Sequence, residues 1–244
     1  MPTNSALDVR NVSVRFGGIA ALNGVSLSAE AGAVTGLMGP NGAGKTTLFN
    51  VISGMQHASA GEVFINGSEL GRRSPAARAK LGLARTFQRL ELFGSLTAIE
   101  NVMVGLEARR GIELHPHRRA GELMEMVGIL EDAPALASSL PTGKARLVEL
   151  ARALAMNPKV LLLDEPSSGL DEAESMEMGK LLREVAAEGC AVVLVEHDID
   201  LMMSVCDAIT VLDFGEVLTT GSPAEVKANE AVQQAYLGIA PDSA

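Results

Sequence analysis

Gly39-Pro40-Asn41-Gly42-Ala43-Gly44-Lys45-Thr46, followed by Thr47, is the stretch from which the fold is read. It fits the pattern G-x-x-x-x-G-K-[ST], a loop whose glycines let backbone N–H groups converge on phosphate oxygens without obstruction by Cβ atoms. The apolar run Ala33 to Met38 leads into it as a strand, and Lys45 to Ser53 continues as a helix whose N-terminal dipole faces the phosphates. Lys45 is placed to reach the β- and γ-phosphates and the Thr46 hydroxyl to ligate Mg²⁺. With ordinary glycine usage such a match arises by chance in on the order of one chain in a hundred.

Downstream, Val160 to Leu163 is an apolar strand that delivers Asp164 and Glu165 at its C-terminal end, where ligands of open α/β sheets bind. Asp164 is the candidate to hold Mg²⁺ through water, and Glu165 the candidate to polarise an attacking water. His197 follows the strand Ala191 to Val195 through Glu196. If the two strands are neighbours, His197 enters the same crevice and can bind a γ-phosphate. Gln88 ends the strand-like LARTFQ and is a candidate sensor or ligand of the metal or of the attacking water.

Outside these motifs, the alternations at Val12, Val14, Phe16 and at Val25, Leu27 flank Gly17-Gly18 and predict an antiparallel hairpin. Gly61 to Ile65 with Asn66-Gly67 predicts another strand and a tight turn. From about Ser95 to Asn157 the period becomes helical: Ile99 to Leu106 capped by Thr97 with Glu100, then Arg118 to Val127, then Gly143 to Ala155 with Leu147, Leu150, Ala151 and Leu154 on one face. After Pro158 strands and helices alternate: a helix over Glu172 to Ala187, a short helix after His197, and strands near Ala208 to Leu212 and Val217 to Thr219. The expected architecture is one α/β domain over residues 5–240. It has a mixed-sheet core and an antiparallel β-subdomain (5–94 and 157–240), with a helical insertion over about 95–156.

With 47% hydrophobic residues among 244, burying a core presents no difficulty, and at 3% aromatic residues without Trp that core is aliphatic. A formal charge of -10 argues against a general nucleic-acid binder, which needs a basic face to displace counterions, and against adhesion to anionic lipid by charge alone. No basic segment precedes an apolar run in MPTNSALDVR, and no run reaches the length of a bilayer span, so the expected location is cytoplasmic. Cys190 and Cys206 show no metal-ligand spacing and read as buried free thiols. The basic HPHRR segment, His115 to Arg119, reads as a solvated helix start.

Taken in order, these motifs resemble the ATPase subunits of ABC transporters over nearly the whole chain. Phe16 stands where that family has an aromatic, followed by Walker A, a Q-loop (Gln88), a signature segment, Walker B, SSGLD (Ser167 to Asp171) and a switch His197. The resemblance implies a P-loop NTPase fold with a RecA-like core, ATP and Mg²⁺ as ligands, and stacking of adenine on Phe16. A core-facing Phe16 is the competing reading. It further implies permease subunits in the membrane, a second ATPase subunit identical or different, and an extracytoplasmic substrate-binding protein. The chain would then be peripheral on the inner face of the membrane, and Asp171 would belong to a loop crossing the ATPase dimer. GLARTFQRLELFGSLTAIENVMVG and the ending VQQAYLG, Val232 to Gly238, look like the ATPases of branched-chain amino-acid importers, although related exporter ATPases share the frame.

One segment departs from the family. Its LSGGQ is LPTGK here, Leu140 to Lys144, and Pro141 offers neither hydroxyl nor N–H to a partner-bound nucleotide. Thr142 is then expected to supply a displaced hydroxyl, Gly143 to allow close backbone approach and Lys144 to add positive charge. Two further readings stay open: a nucleotide-binding module with weak turnover, and a non-transport ABC protein. The second usually brings tandem cassettes, coiled coils or basic surfaces that this sequence lacks. A P-loop kinase or GTPase predicts neither SSGLD nor VEHD after Walker B.

Overall fold

The computed structural model describes residues 5–108 and 113–237. Two sheets carry the chain. The first is antiparallel: β1 (Ser5–Phe16), β2 (Ile19–Glu30), β4 (Ala60–Ile65) and β5 (Ser68–Glu69), in the order β2-β1-β4-β5. The hairpin expected from short alternations is longer than its apolar core suggests. Both strands run 12 residues, because irregularities around Asn11, at φ 49°, restore the inward-facing set after the alternation breaks.

The second sheet has six strands: β3 (Val34–Met38), β6 (Leu83–Arg85), β7 (Val160–Asp164), β8 (Ala191–Val195), β9 (Ala208–Asp213) and β10 (Glu216–Gly221), in the order β10-β9-β3-β8-β7-β6. All pairs are parallel except β9 with β10. Every residue of β3, β7 and β8 is buried, as a parallel sheet covered on both faces requires. Alternate residues face two different cores. Leu161, Leu163, Val192 and Leu194 meet the core of the helical layer. Val160, Leu162, Val193 and Val195 meet the core that holds the antiparallel sheet and α1 (Lys45–Ser53).

Among the described residues, three α-helices stand between β6 and β7: α3 (Ala98–Ala108), α4 (Pro116–Met126) and α5 (Thr142–Ala155). The Thr97–Glu100 capping box at α3 forms as expected, Glu100 accepting from the Thr97 N–H at 2.7 Å. HPHRR is the start of α4, with His115 at the N-cap and Pro116 in the first turn. On the α5 face, Leu150 and Ala151 are buried while Leu147 and Leu154 are only partly covered. After β7 come α6 (Glu172–Ala187), between β8 and β9 α7 (Ile199–Val205), and after β10 α8 (Pro223–Ala228) and α9 (Glu230–Leu237). A short helix α2 (Pro75–Ala79), set by a Ser74 cap and Pro75, escaped the periodicity because five residues span little more than one turn. Residues 238–240 of the expected domain, and Gly238 of VQQAYLG, lie outside the described residues. Among those described, no helix is long and apolar enough to cross a membrane.

Candidate active site

The order of the parallel strands does the assembling. β3 ends at the P-loop, β8 at Glu196 and His197, and β7, beside β8 with Asp164 opposite Val195, at Asp164 and Glu165. The neighbour relation on which His197 depended is therefore present. One crevice of about 240 Å³ is lined by Asn41 to Thr47 together with Gln88, Asp164, Glu165 and His197.

The P-loop conformation accounts for its glycines. Gly39 has φ 154° and Gly44 φ 107°, and a Cβ on Gly39 would run into the backbone oxygen of Leu212. Gly44 ends the loop in the left-handed region and α1 begins at Lys45. The far end of α1 is held by Arg78, which donates to the carbonyls of Val51 at 2.6 Å and Ile52 at 2.8 Å, a cation placed at the negative pole of the helix. Lys45 is buried and its ammonium donates to the carbonyls of Gly39 and Pro40. Burial lowers its pKa, while Glu165 and Asp164 work against that shift. Thr46 is exposed and lines the crevice.

Glu165 is the centre of the arrangement. Its backbone sits at φ 51°, in the left-handed region that few non-glycine residues adopt and that clusters at functional sites. The Glu165 N–H donates to Val195 O at 2.9 Å, prolonging the β7–β8 pairing by one step as the chain turns away. Gln88 Nε2 donates to Glu165 Oε2 at 2.9 Å, and His197 Nε2 lies 2.8 Å from Glu165 Oε1. An ionised carboxylate only accepts, so the imidazole contributes Nε2–H. Two side chains, one from the bend after β6 and one from the turn after β8, thus meet at the carboxylate that follows β7.

Asp164 is buried beneath them. Desolvation raises its pKa, and Arg85, which donates to Oδ2 at 3.1 Å, opposes the rise. Arg85 also donates to Asn50 at 2.7 Å and lies over the rings of Phe87 and Phe49. This arginine was not singled out from sequence. Its only signal was a cation ending an otherwise apolar strand, LAR. Glu196 was missed as well: it accepts the Ser167 N–H at 2.7 Å and the His197 N–H at 3.2 Å, tying the turn after β7 to the turn after β8.

The strand expected to reach Gln88 stops at Arg85. Thr86 still bonds Leu162, and Gln88 lies beyond on an exposed bend, from which its side chain reaches Glu165. Phe16 is 51% exposed at the tip of the β1–β2 hairpin and does not face the core. The LPTGK segment lies apart from the crevice, at the start of α5. Pro141 is its N-cap without a side-chain bond, Thr142 is exposed beside Gly169, and Gly143 lies against Glu174. Lys144 is engaged by Asp132 at 2.8 Å, which neutralises locally the charge expected to serve a nucleotide. Asp171 caps α6 in a capping box with Glu174.

Residues 22–168 match the family model of the ABC transporter, a span covering more than half of the chain. The chain belongs to the ABC transporter family. A second model, the branched-chain amino acid ATP-binding cassette transporter, matches residues 216–240. The chain is 36% identical over 250 aligned residues to the high-affinity branched-chain amino acid transport ATP-binding protein BraF of Pseudomonas aeruginosa, with 96% of this chain and 98% of that protein covered. LivG of Escherichia coli K12, named for the same transport, is 34% identical at the same coverage, and LptB of the same strain, named for lipopolysaccharide export, is 32% identical. An ABC transporter cassette crystallised in its ADP conformation superposes with a TM-score of 0.88 at 29% identity, covering 97% of this chain and all of that one. A nucleotide-free cassette gives 0.87 at 28% identity, with 96% of this chain and 100% of that one covered. Membership of the ABC family makes this chain an ATP-binding subunit, and the expected α/β fold with a mixed sheet is the fold of these cassettes.

Proposed function

We propose that this chain is the Mg²⁺-dependent ATPase of an importer of branched-chain amino acids, hydrolysing ATP in the crevice between Lys45, Glu165 and His197. The observation that carries the catalytic part is Glu165, fixed at a left-handed turn and held by Gln88 and His197. The substrate rests on the names of the relatives and on the C-terminal family match.

In this reading the P-loop N–H groups and Lys45 bind the β- and γ-phosphates, the ammonium exchanging the Gly39 and Pro40 carbonyls for phosphate oxygens. The Thr46 hydroxyl, Asp164 and the Gln88 amide fit a hard cation: all are oxygen donors on one crevice, with a buried carboxylate among them. They would hold Mg²⁺, which supplies charge neutralisation at the phosphates. Both oxygens of Glu165 are engaged by exposed side chains. Exchanging one of those bonds for a water leaves the other to orient the carboxylate, which then accepts the proton as the water attacks in line. His197 is placed to follow the leaving γ-phosphate. Phe16, exposed at its hairpin tip, is available to stack on adenine.

Such a subunit docks on membrane permeases, pairs with a second ATPase subunit and so sits at the inner face of the membrane, served by an extracytoplasmic binding protein. Across that pair, Thr142 and Gly143 would meet the partner's nucleotide. Hydrolysis should appear with co-purifying partners and vanish in Lys45→Ala and Glu165→Gln. ATP binding without turnover in the assembled complex would instead favour the weak-turnover reading and point to LPTGK. LptB makes export the second reading. Leucine uptake by vesicles carrying the complex distinguishes the two, since an exporter subunit gives none.

A further inference from the structure

Beyond Thr86, the backbone that carries Gln88 is hydrogen-bonded from the helical layer. Thr86 is bonded to β7 through Leu162 O. From there to Phe93 the side chains that bond the backbone belong to α5 and α3, and the Phe87 ring lies against Arg85 of β6. Arg146 donates to Phe87 O at 3.0 Å through Nη1 and to Gln88 O at 2.6 Å through Nη2. Glu149 accepts from the Glu91 N–H at 3.4 Å, Arg152 donates to Glu91 O at 2.6 Å, and Asn101 both accepts from the Phe93 N–H and donates to Phe93 O. Arg146 and Glu149 are 6% and 2% exposed and face each other at 3.3 Å, a pair too deep for surface electrostatics to account for.

We propose that Arg146 is a positioning residue for hydrolysis, its guanidinium clamping the Phe87 and Gln88 carbonyls so that the Gln88 amide stays on Glu165. The proposal rests on the catalytic reading of Glu165 above. A planar fork reaches two successive carbonyls at once, whereas a lysine ammonium on a flexible stem holds one and leaves the other. Arg146 touches neither Glu165 nor the P-loop by any hydrogen bond described, so its influence on chemistry passes through Gln88. Because Arg146 rides on α5, the contact at Glu165 is tied to the seating of the helical layer on the sheet.

Arg146→Lys keeps the charge and loses the fork, and the full chain with its co-purifying partners is the sample. Expected is a fall in kcat of about tenfold with KM for ATP within about twofold, since misplacement of a catalytic group acts on the chemical step. In a Gln88→Ala background the same substitution should cost less than about twofold, the non-additivity of two residues acting as one unit. Equal losses in both backgrounds would overturn the clamp. A second arm does not need turnover: hydrogen exchange over residues 86–93 should quicken in Arg146→Lys while β7 stays protected, and unchanged exchange there overturns the clamp equally. Failure of the wild-type complex to hydrolyse ATP would sink the ATPase reading alone, with the exchange arm still deciding the clamp.

Discussion

Glu165 and Arg85 show what single residues contribute. Glu165→Gln preserves shape and one acceptor but removes the charge that attracts the water's proton. Turnover should fall by at least about a hundredfold with ATP binding retained; a variant that hydrolyses ATP at the wild-type rate would remove Glu165 from its role. Arg85 is the counter-charge of a buried carboxylate, both side chains being 7% exposed. Arg85→Met leaves Asp164 buried and unpaired and should destabilise the fold by about 3–5 kcal/mol, read by urea denaturation. The thiols of Cys190 and Cys206 are both pushed up to about 12 by burial. Neither should react with a thiol reagent at neutral pH until the protein is denatured. Residue types at the site were readable because the chemistry admits few alternatives: a lysine after Gly-Ala-Gly, two carboxylates at a strand end. Arg85 and Glu196 were not readable, since their partners Asp164 and Ser167 lie 79 and 29 positions away and only strand order brings them together.

At the level of elements, α5 carries both the departure from the family and the clamp on Gln88. Its N-cap is Pro141, which makes no side-chain bond to the first turn. Pro141→Ser introduces a capping hydroxyl and should stabilise by roughly 1 kcal/mol, a rise in Tm of about 2–4 °C for a chain of this size. The hydrolysis rate of the same variant decides the weak-turnover reading: an unchanged rate means the site tolerates LPTGK. The apolar period located α5 and its core-facing side, but not the buried polar pair beside it. Leu147 and Leu154 pack on the core at its margin, partly covered, while Arg146 and Glu149 are buried. A period of apolar residues cannot report a polar pair whose partner is the backbone of a distant loop. The strand reaching toward Gln88 was overextended for a related reason. RTFQ looks extended, yet only Arg85 and Thr86 find partners on β7 before the chain turns to α5.

At the scale of the whole molecule, Asp164 and Glu196 stand at the ends of the buried strands β7 and β8, and burial opposes the ionisation of both. Glu196 is raised chiefly by desolvation, against the Ser167 and His197 hydrogen bonds and with Glu165 adding to the rise. Its folded pKa is above the unfolded one, so the native state holds more protons across that interval and loses stability as pH rises through it. Glu196→Gln removes this slope. The Tm of the variant relative to wild type should move in its favour as pH rises above the ordinary glutamate range, and a constant difference would place the shift elsewhere. The sequence by itself determined the phosphate loop, the alternation of strands and helices and the family, because local pattern and glycine geometry leave a long imprint on neighbouring residues. Only the tertiary structure decided that β8 lies between β3 and β7, and hence that His197, Glu165 and Gln88 share one crevice. Strand order depends on which buried faces pack together across the whole chain, and no local stretch encodes it.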